Sequence, residues 1–435
     1  MESETIFDAL NKWNAWDKTA LDAGFPREIV HSIAPFLDGP EIIALKGVRR
    51  SGKSTVMLQL MNYLLKKGAR PGDILYLNFE EPLFYENRGQ NIIERIFRIY
   101  RERVNPGRFA YVFLDEVQEI PHWEKWVRTN VDLKQVKIIV TGSSSGLLGT
   151  EYSTLLTGRN VSFTVYPLNF REFLDFKGLG GYSDPITLGK NKDLIRNALR
   201  EYMQFGGFPE AVLRDKPEQK EKLLKQYFED ILYRDIVWRH KVRDIATLKN
   251  IAMIYMTEIS NLSSYTRIKN SLGVPLDVVR SYSSFLDETY LVKEVKKHSF
   301  KVKEQLRNPK KVYAIDTGIR NAVSYRFSED FGRLAENVVF LSLLPMEKEI
   351  YYYKGTGEVD FVVKKGMSTE SLIQVSMAGS DRKIDERELK SLIEGMESLR
   401  VRDGYVVTED YEETISAGKN TIKAVPLWKW LLQPS

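Results

Sequence analysis

The chain has no cysteine, which removes disulfides, thiolate zinc sites and a cysteine nucleophile in one step. Histidine is nearly as scarce: four residues, His31, His122, His240 and His298, stand far apart, without the spacing of a metal centre. Long apolar runs are missing too. The longest, around Val338 to Leu344, falls far short of the roughly 20 residues that cross a bilayer. The acidic start MESETIFDAL lacks the basic region and apolar stretch of a secretory signal. A cytoplasmic protein with no membrane partner is expected. There is no internal repeat or low-complexity tract, and a formal charge of +5 is too small to indicate nucleic acid by itself.

What is there is an ordinary globular composition, 43% hydrophobic and 28% charged over 435 residues. Such a chain folds throughout and builds more than one core. From Glu41 to Arg171, short β-branched runs alternate with helical stretches, the pattern of a parallel sheet covered by helices. Strands are expected at Ile42 to Lys46, Ile74 to Asn78, Tyr111 to Leu114, Lys137 to Thr141 and Val161 to Val165. Ile6 to Ile33 reads as one or two helices broken near Gly24 and Pro26. Leu194 to Leu213 and Gln219 to Val242 read as helical, the first interrupted by GGFPE at Gly206 to Glu210. These helices suit a lid over a bound ligand.

GVRRSGKST, Gly47 to Thr55, follows the strand EIIAL and precedes the helical run VMLQLMNYLL. That context makes it a phosphate-binding loop. Gly47 and Gly52 let the backbone N–H groups of Arg49, Arg50, Ser51 and their neighbours cradle phosphates, and the following helix adds its positive end. Lys53 then reaches the β and γ phosphates of ATP, Ser54 ligates Mg2+, and Thr55 completes the loop. YVFLDEVQEI delivers Asp115 and Glu116 to the carboxyl edge of the sheet. Asp115 suits the metal, and Glu116 suits orienting or deprotonating the attacking water. After the strand IIVTG, a hydroxyl that senses the γ-phosphate is expected at Ser143, with Thr141 and Ser144 as rivals, or else the serines simply cap a helix.

GVRRSGKST, YLNFEEP, YVFLDEVQEI, TGSSS, LTGR, YPLNFREF and GGFPE occur in one order. Together they resemble the prokaryotic AAA-type P-loop ATPases with a C-terminal winged helix and a PD-(D/E)xK nuclease-like domain. The resemblance covers about Ile42 to Leu432. It implies an α/β P-loop NTPase fold with strand order 5-1-4-3-2, followed by a helical lid, a winged helix and a PD-(D/E)xK-like α/β domain. It also places Arg159, in LTGR, where such proteins often carry an arginine finger for a neighbouring subunit's γ-phosphate. The expected partition is 1–40 helical, 41–190 ATPase core, 191–245 lid, 246–320 winged helix and 321–435 nuclease-like.

In the second half, a helix at Ser264 to Leu272, a turn at Gly273 to Pro275 and a helix at Leu276 to Tyr290 have helix-turn-helix spacing. Val278, Val279, Tyr282, Phe285 and Leu286 follow its core period. Lys293 to Lys311 holds eight Lys or Arg against two Glu, a basic hairpin suited to DNA phosphates. Lys296, Lys297, Lys301 and Lys303 are its candidates, with Arg267, Lys269 and Arg280 from the helices.

The nuclease-like site is expected at Glu336, Asp360, Gln374 and Ser376. Gln374 and Ser376 stand where an active member has an acid and a lysine, so cleavage is not expected. The resulting expectation is an oligomeric, DNA-binding ATPase. A nucleotide-controlled switch acting on a protein partner is the alternative, and an ATP-gated nuclease is the third reading.

Overall fold

The structure is a computed structural model. It describes residues 3–433 except 15, 18–19, 90, 143–157, 181, 183–184, 325–329 and 378–383. Contacts divide the chain into two units, Met1–Tyr166 and Pro167–Ser435, a division that falls ahead of the expected boundary at residue 190.

The first unit is built on β1 (Ile42–Lys46), β2 (Ile74–Asn78), β3 (Ala110–Asp115), β4 (Val136–Thr141) and β5 (Asn160–Thr164). All pairings are parallel, and the order β5-β1-β4-β3-β2 is the expected one. β1 to β4 are buried along nearly their whole length, because helices cover both faces of a parallel sheet. On one face, the helix Lys53–Lys66 presents Val56, Met57, Leu60, Met61 and Leu64 at helical period to Ile43, Leu45, Phe113 and Ile139.

On the other face, Ile6 and Leu10 of the helix Ser3–Trp13 pack with Leu75, Leu77, Ile96 and Val112. The N-terminal segment is therefore part of this core. Among the described residues the break expected near Gly24 and Pro26 begins already at Asn14, and helix resumes at Ile29–Ile33. Within the gap, the Asn14 amide accepts from the backbone N–H of Tyr76 at 2.7 Å and donates to its carbonyl at 3.0 Å. The side chain thus occupies backbone groups of the edge strand β2, which would otherwise be open to another chain.

The second unit begins with helices that include Phe170–Phe176, Lys192–Phe205, Pro209–Val212 and Pro217–Asp230. The last runs on through a π-helical turn, Ile231–Val237. Next come the helix Ile245–Thr257, β6 (Leu262–Ser263), the helices Tyr265–Leu272 and Leu276–Glu288, β7 (Val292–Lys297) and β8 (Lys310–Ala314).

The two helices and their turn lie where the sequence puts them, with Ser264 capping the first and Gly273 ending it at φ +68°. Val279 and Leu286 are buried, whereas Val278, Tyr282 and Phe285 are half-buried. Phe285 stacks on His240 at 3.8 Å. One element was not foreseen, the short helix Val302–Arg307 between β7 and β8.

The chain then forms the helix Asp330–Leu343, β9 (Glu349–Lys354), β10 (Glu358–Lys365), β11 (Ser368–Ser376), the helix Glu386–Leu399, β12 (Asp403–Thr408), β13 (Glu413–Ala417) and β14 (Asn420–Pro426). Parallel pairing of β7 with β9, Lys296 opposite Tyr351 and Lys297 opposite Tyr352, joins these strands to the preceding hairpin. One sheet results, in the order β13-β14-β12-β11-β10-β9-β7-β8-β6. The two parts of the second half that the sequence separates at residue 320 therefore share a sheet.

Candidate functional site

The turn after β1 has the shape its glycines predict. Gly47 (φ +142°) and Gly52 (φ +96°) both adopt conformations that side chains rarely take. A Cβ on Gly47 would lie 2.1 Å from the carbonyl oxygen of Val165. The guanidinium of Arg27, itself buried, donates to the carbonyls of Ser51 and Tyr166 at 2.8 Å each and ties the loop to the end of β5.

Lys53 opens the following helix and is 5% exposed. Its Nζ donates to the carbonyls of Gly47 and Val48 at 3.2 and 3.3 Å, and among the described residues it makes no ion pair with a carboxylate. A buried ammonium held only by carbonyls lacks its counter-charge. The Oγ of Ser51, buried in the same loop, has no hydrogen-bond partner among the described residues. Both features suit a bound anion, so the loop fits a nucleotide phosphate.

The acidic side of the site lies at the ends of β3 and β4. Asp115 is 1% exposed; its carboxylate accepts from the Tyr76 hydroxyl at 2.6 Å, from Thr141 and from Ser54. Burial pushes this carboxyl up, and the neighbouring Glu116 adds to the effect. A cation shared by Ser54 and Asp115 would restore its charge, so these residues fit Mg2+.

Glu116 turns into the left-handed region at φ +53°, an uncommon conformation for a residue other than glycine. Its N–H donates to Thr141 Oγ1 at 2.9 Å, and Gln118 donates to its carboxylate. Thr141, a rival of Ser143 for the γ-phosphate sensor, therefore bridges both acids. Ser143 and Ser144 lie outside the described residues. Tyr76 belongs to YLNFEEP, and in the same motif Glu80 pairs with Arg49 at 3.6 Å. Sequence reasoning missed Tyr76 and Arg27. The signal for Tyr76 was a phenol inside an otherwise apolar strand, and that for Arg27 was not local at all.

Arg159 does not stand open. Its guanidinium pairs within the chain with Asp132, both about half exposed. The second-unit candidates divide similarly: Arg267 pairs with Glu258 at 2.8 Å, Arg280 with Asp277 at 3.5 Å and Lys301 with Glu304 at 3.4 Å. Lys269, Lys296, Lys297 and Lys303 make no ion pair among the described residues. The basic run is smaller than its count suggests, because three further members besides Lys301 are engaged internally. Lys293 pairs with Asp287, Lys310 with Glu294 and Lys311 with buried acids.

Lys311, which sequence reasoning placed only in the basic hairpin, reaches the nuclease-like site. From β8, a strand outside the expected site, it sends a 2% exposed side chain to Asp360 at 2.7 Å, Glu358 at 2.8 Å and Glu336 at 3.0 Å. Burial alone would lower its pKa, but the three carboxylates win and raise it. Burial and the charge of Asp360 push the Glu336 carboxyl up, and Tyr313 donates to it at 2.7 Å.

Asp360 also accepts from the N–H of Val375 at 2.9 Å, and Gln374 Oε1 accepts from the N–H of Asp360 at 3.4 Å. Ser376 bonds Glu388. The four expected residues thus gather on β10, β11 and the helix Asp330–Leu343. The ammonium occupies the place between the acids, so the site does not fit a divalent cation. Among the described residues no group of three His, Asp or Glu side chains could hold one.

The AAA domain family matches residues 39–174, and a domain of unknown function, DUF8612, matches residues 196–330. An uncharacterized protein of Methanocaldococcus jannaschii, MJ1544, is 32% identical over 409 residues, covering 90% of this chain and 88% of that one. The chain belongs to the MJ1544 family. An uncharacterized protein of Haemophilus influenzae is similar at 29% over 415 residues, with 93% and 97% coverage. The Aeropyrum pernix Orc1 protein, solved in complex with DNA, aligns over 72% of this chain and 96% of its own at 14% identity and a TM-score of 0.31. That likeness is too weak to carry an argument. For the MJ1544 family, the AAA match and the five-stranded parallel sheet make the first unit an AAA-type P-loop ATPase fold. No helix among the described residues is long and apolar enough to cross a membrane.

Proposed function

We propose that this protein is a magnesium-dependent ATPase whose nucleotide state controls how its second unit holds DNA. The observation that carries the ATPase reading is Lys53, a buried ammonium whose partners among the described residues are carbonyls, set in a glycine cradle beside Ser54 and Asp115. Phosphate would exchange for the carbonyls of Gly47 and Val48 as the partner of Lys53, and the N–H groups of the loop would take the remaining oxygens. Bound Mg2+ would neutralise charge on the β and γ oxygens. Thr141 and Tyr76 hold Asp115, and the turn at Glu116 sets its carboxylate to orient water.

The DNA reading rests on the second unit. Helix, turn, helix and a two-stranded hairpin whose outer strand also pairs with a short β6 match the arrangement of a winged helix. Lys269, Lys296, Lys297 and Lys303 supply charge for phosphates. The strands and helices around Asp360 support a PD-(D/E)xK-like module used for docking, since the ammonium of Lys311 takes the place of a metal. A protein-partner switch remains the second reading, favoured by the internal neutralisation of Lys293, Lys310 and Lys311.

The deciding experiment is the steady-state ATPase rate with linear, single-stranded and four-way-junction DNA at two salt concentrations. Stimulation lost at high salt supports the DNA reading. A rate indifferent to every DNA but dependent on protein concentration selects the switch.

A further inference from the structure

The connection between β7 and β8 exposes apolar side chains that a solvated charged loop does not need. Phe300 is 88% exposed, Val302 67% and Leu306 61%, all within the basic stretch that carries Lys296, Lys297, Lys301, Lys303 and Arg307. The tip is nevertheless built. Ser299 Oγ accepts from the N–H of Lys301 at 3.1 Å and donates to Glu304 at 2.9 Å, and Gln305 donates to the Ser299 carbonyl at 2.7 Å. The His298 ring sits edge-on to Phe300 at 5.3 Å, and the backbone N–H of His298 donates to the carbonyl of Tyr352 at 2.7 Å. An ordered turn thus presents an aromatic ring to solvent inside a cationic rim.

We propose that Phe300 is a wedge that stacks on an unpaired base, so that the preferred ligand is DNA with a junction between duplex and single strand. This rests on the DNA reading above. The cationic rim complements phosphates on either side of the junction. A fully paired duplex offers Phe300 only its polar backbone and groove edges, whereas an unstacked base offers a π-face that any aromatic ring can cover. A membrane surface is the poorer occupant. The helix Val302–Arg307 has six residues and carries Glu304 and Gln305, too little apolar face for an interfacial helix.

The test measures binding of the full-length protein, Phe300→Ala and Phe300→Trp to a forked DNA and to a blunt duplex of equal length. The fork carries 2-aminopurine at the first unpaired position. Wild type and Phe300→Trp should favour the fork and quench the probe. Phe300→Ala should lose about tenfold or more of fork affinity and the quenching, while its duplex affinity holds. Equal losses on both DNAs, or an unchanged fork affinity in Phe300→Ala, overturn the wedge and leave DNA binding intact. Failure of the wild type to bind either DNA overturns the DNA reading itself. Wild-type binding to phosphatidylserine vesicles in place of DNA would assign the tip to a lipid surface and overturn both.

Discussion

Two lysines, each buried and each in a different setting, show how the same side chain is made functional or structural by its partners. Lys53 has carbonyl partners; Lys311 has three carboxylates. Lys53→Ala should abolish measurable ATP binding by calorimetry, whereas Glu116→Gln should retain binding and lose about a hundredfold or more in turnover. Normal turnover in Glu116→Gln would reassign the base. For Lys311 the effect belongs to stability. Lys311→Met leaves Glu336, Glu358 and Asp360 facing one another, and removing one member of such a buried set costs about 3–5 kcal/mol. The thermal midpoint of Lys311→Met should fall sharply, and adding Asp360→Asn should recover part of the loss. A midpoint unchanged by Lys311→Met would mean that the cluster opens to water.

At the scale of elements, GGFPE is more than a helix break. Gly206, at φ +72°, and Gly207 lie against the start of the helix Thr317–Val323, whose cap Asp316 accepts from the N–H groups of Gly207 at 2.7 Å and Ile319 at 2.9 Å. A Cβ on Gly207 would meet the carbonyl oxygen of Leu168 at 2.2 Å, and one on Gly318 would meet that of Phe205 at 2.0 Å. Backbone packs on backbone here, which only glycine allows.

Burial pushes Asp316 up to about 6, against the lowering effect of these N–H donors. The sign follows from a folded pKa above the unfolded one. The contribution of Asp316 to stability is full below its ordinary pKa and is lost as pH rises from about 4 to about 6, a change of about 3 kcal/mol. The stability of wild type relative to Asp316→Asn, followed by urea unfolding across this range, should decline by that amount and then level off above pH 6. A flat difference would show that the carboxyl is ionised throughout.

For the whole molecule, assembly is the open coupling. Arg159 and Asp132 form an exposed pair, worth at most about 1 kcal/mol, so releasing Arg159 to a neighbouring subunit costs little beside the 10³-fold or more that an arginine finger supplies. Mixing Arg159→Ala with Lys53→Ala, each inactive alone, should restore part of the ATPase rate if sites are shared. No recovery at any ratio would leave Arg159 as a surface ion pair.

The first unit was legible because its information is local. Hydrophobic runs of strand length, a glycine loop between strand and helix, and two acids at a strand end are all written in neighbouring residues. Even there, the link from the Thr141 hydroxyl to both Asp115 and Glu116 depends on β3 and β4 lying side by side. In the second unit the sequence by itself determined the helix, turn, helix and hairpin, again from local spacing. Only the tertiary structure decided what the charges do. Strand pairing brings Lys311 beside Glu336, Glu358 and Asp360 across 25 to 49 residues; no period or motif encodes such a meeting. The reason is physical: backbone propensity and amphipathic period are written in neighbouring residues, whereas the pairing of a buried charge depends on which distant strands share a sheet.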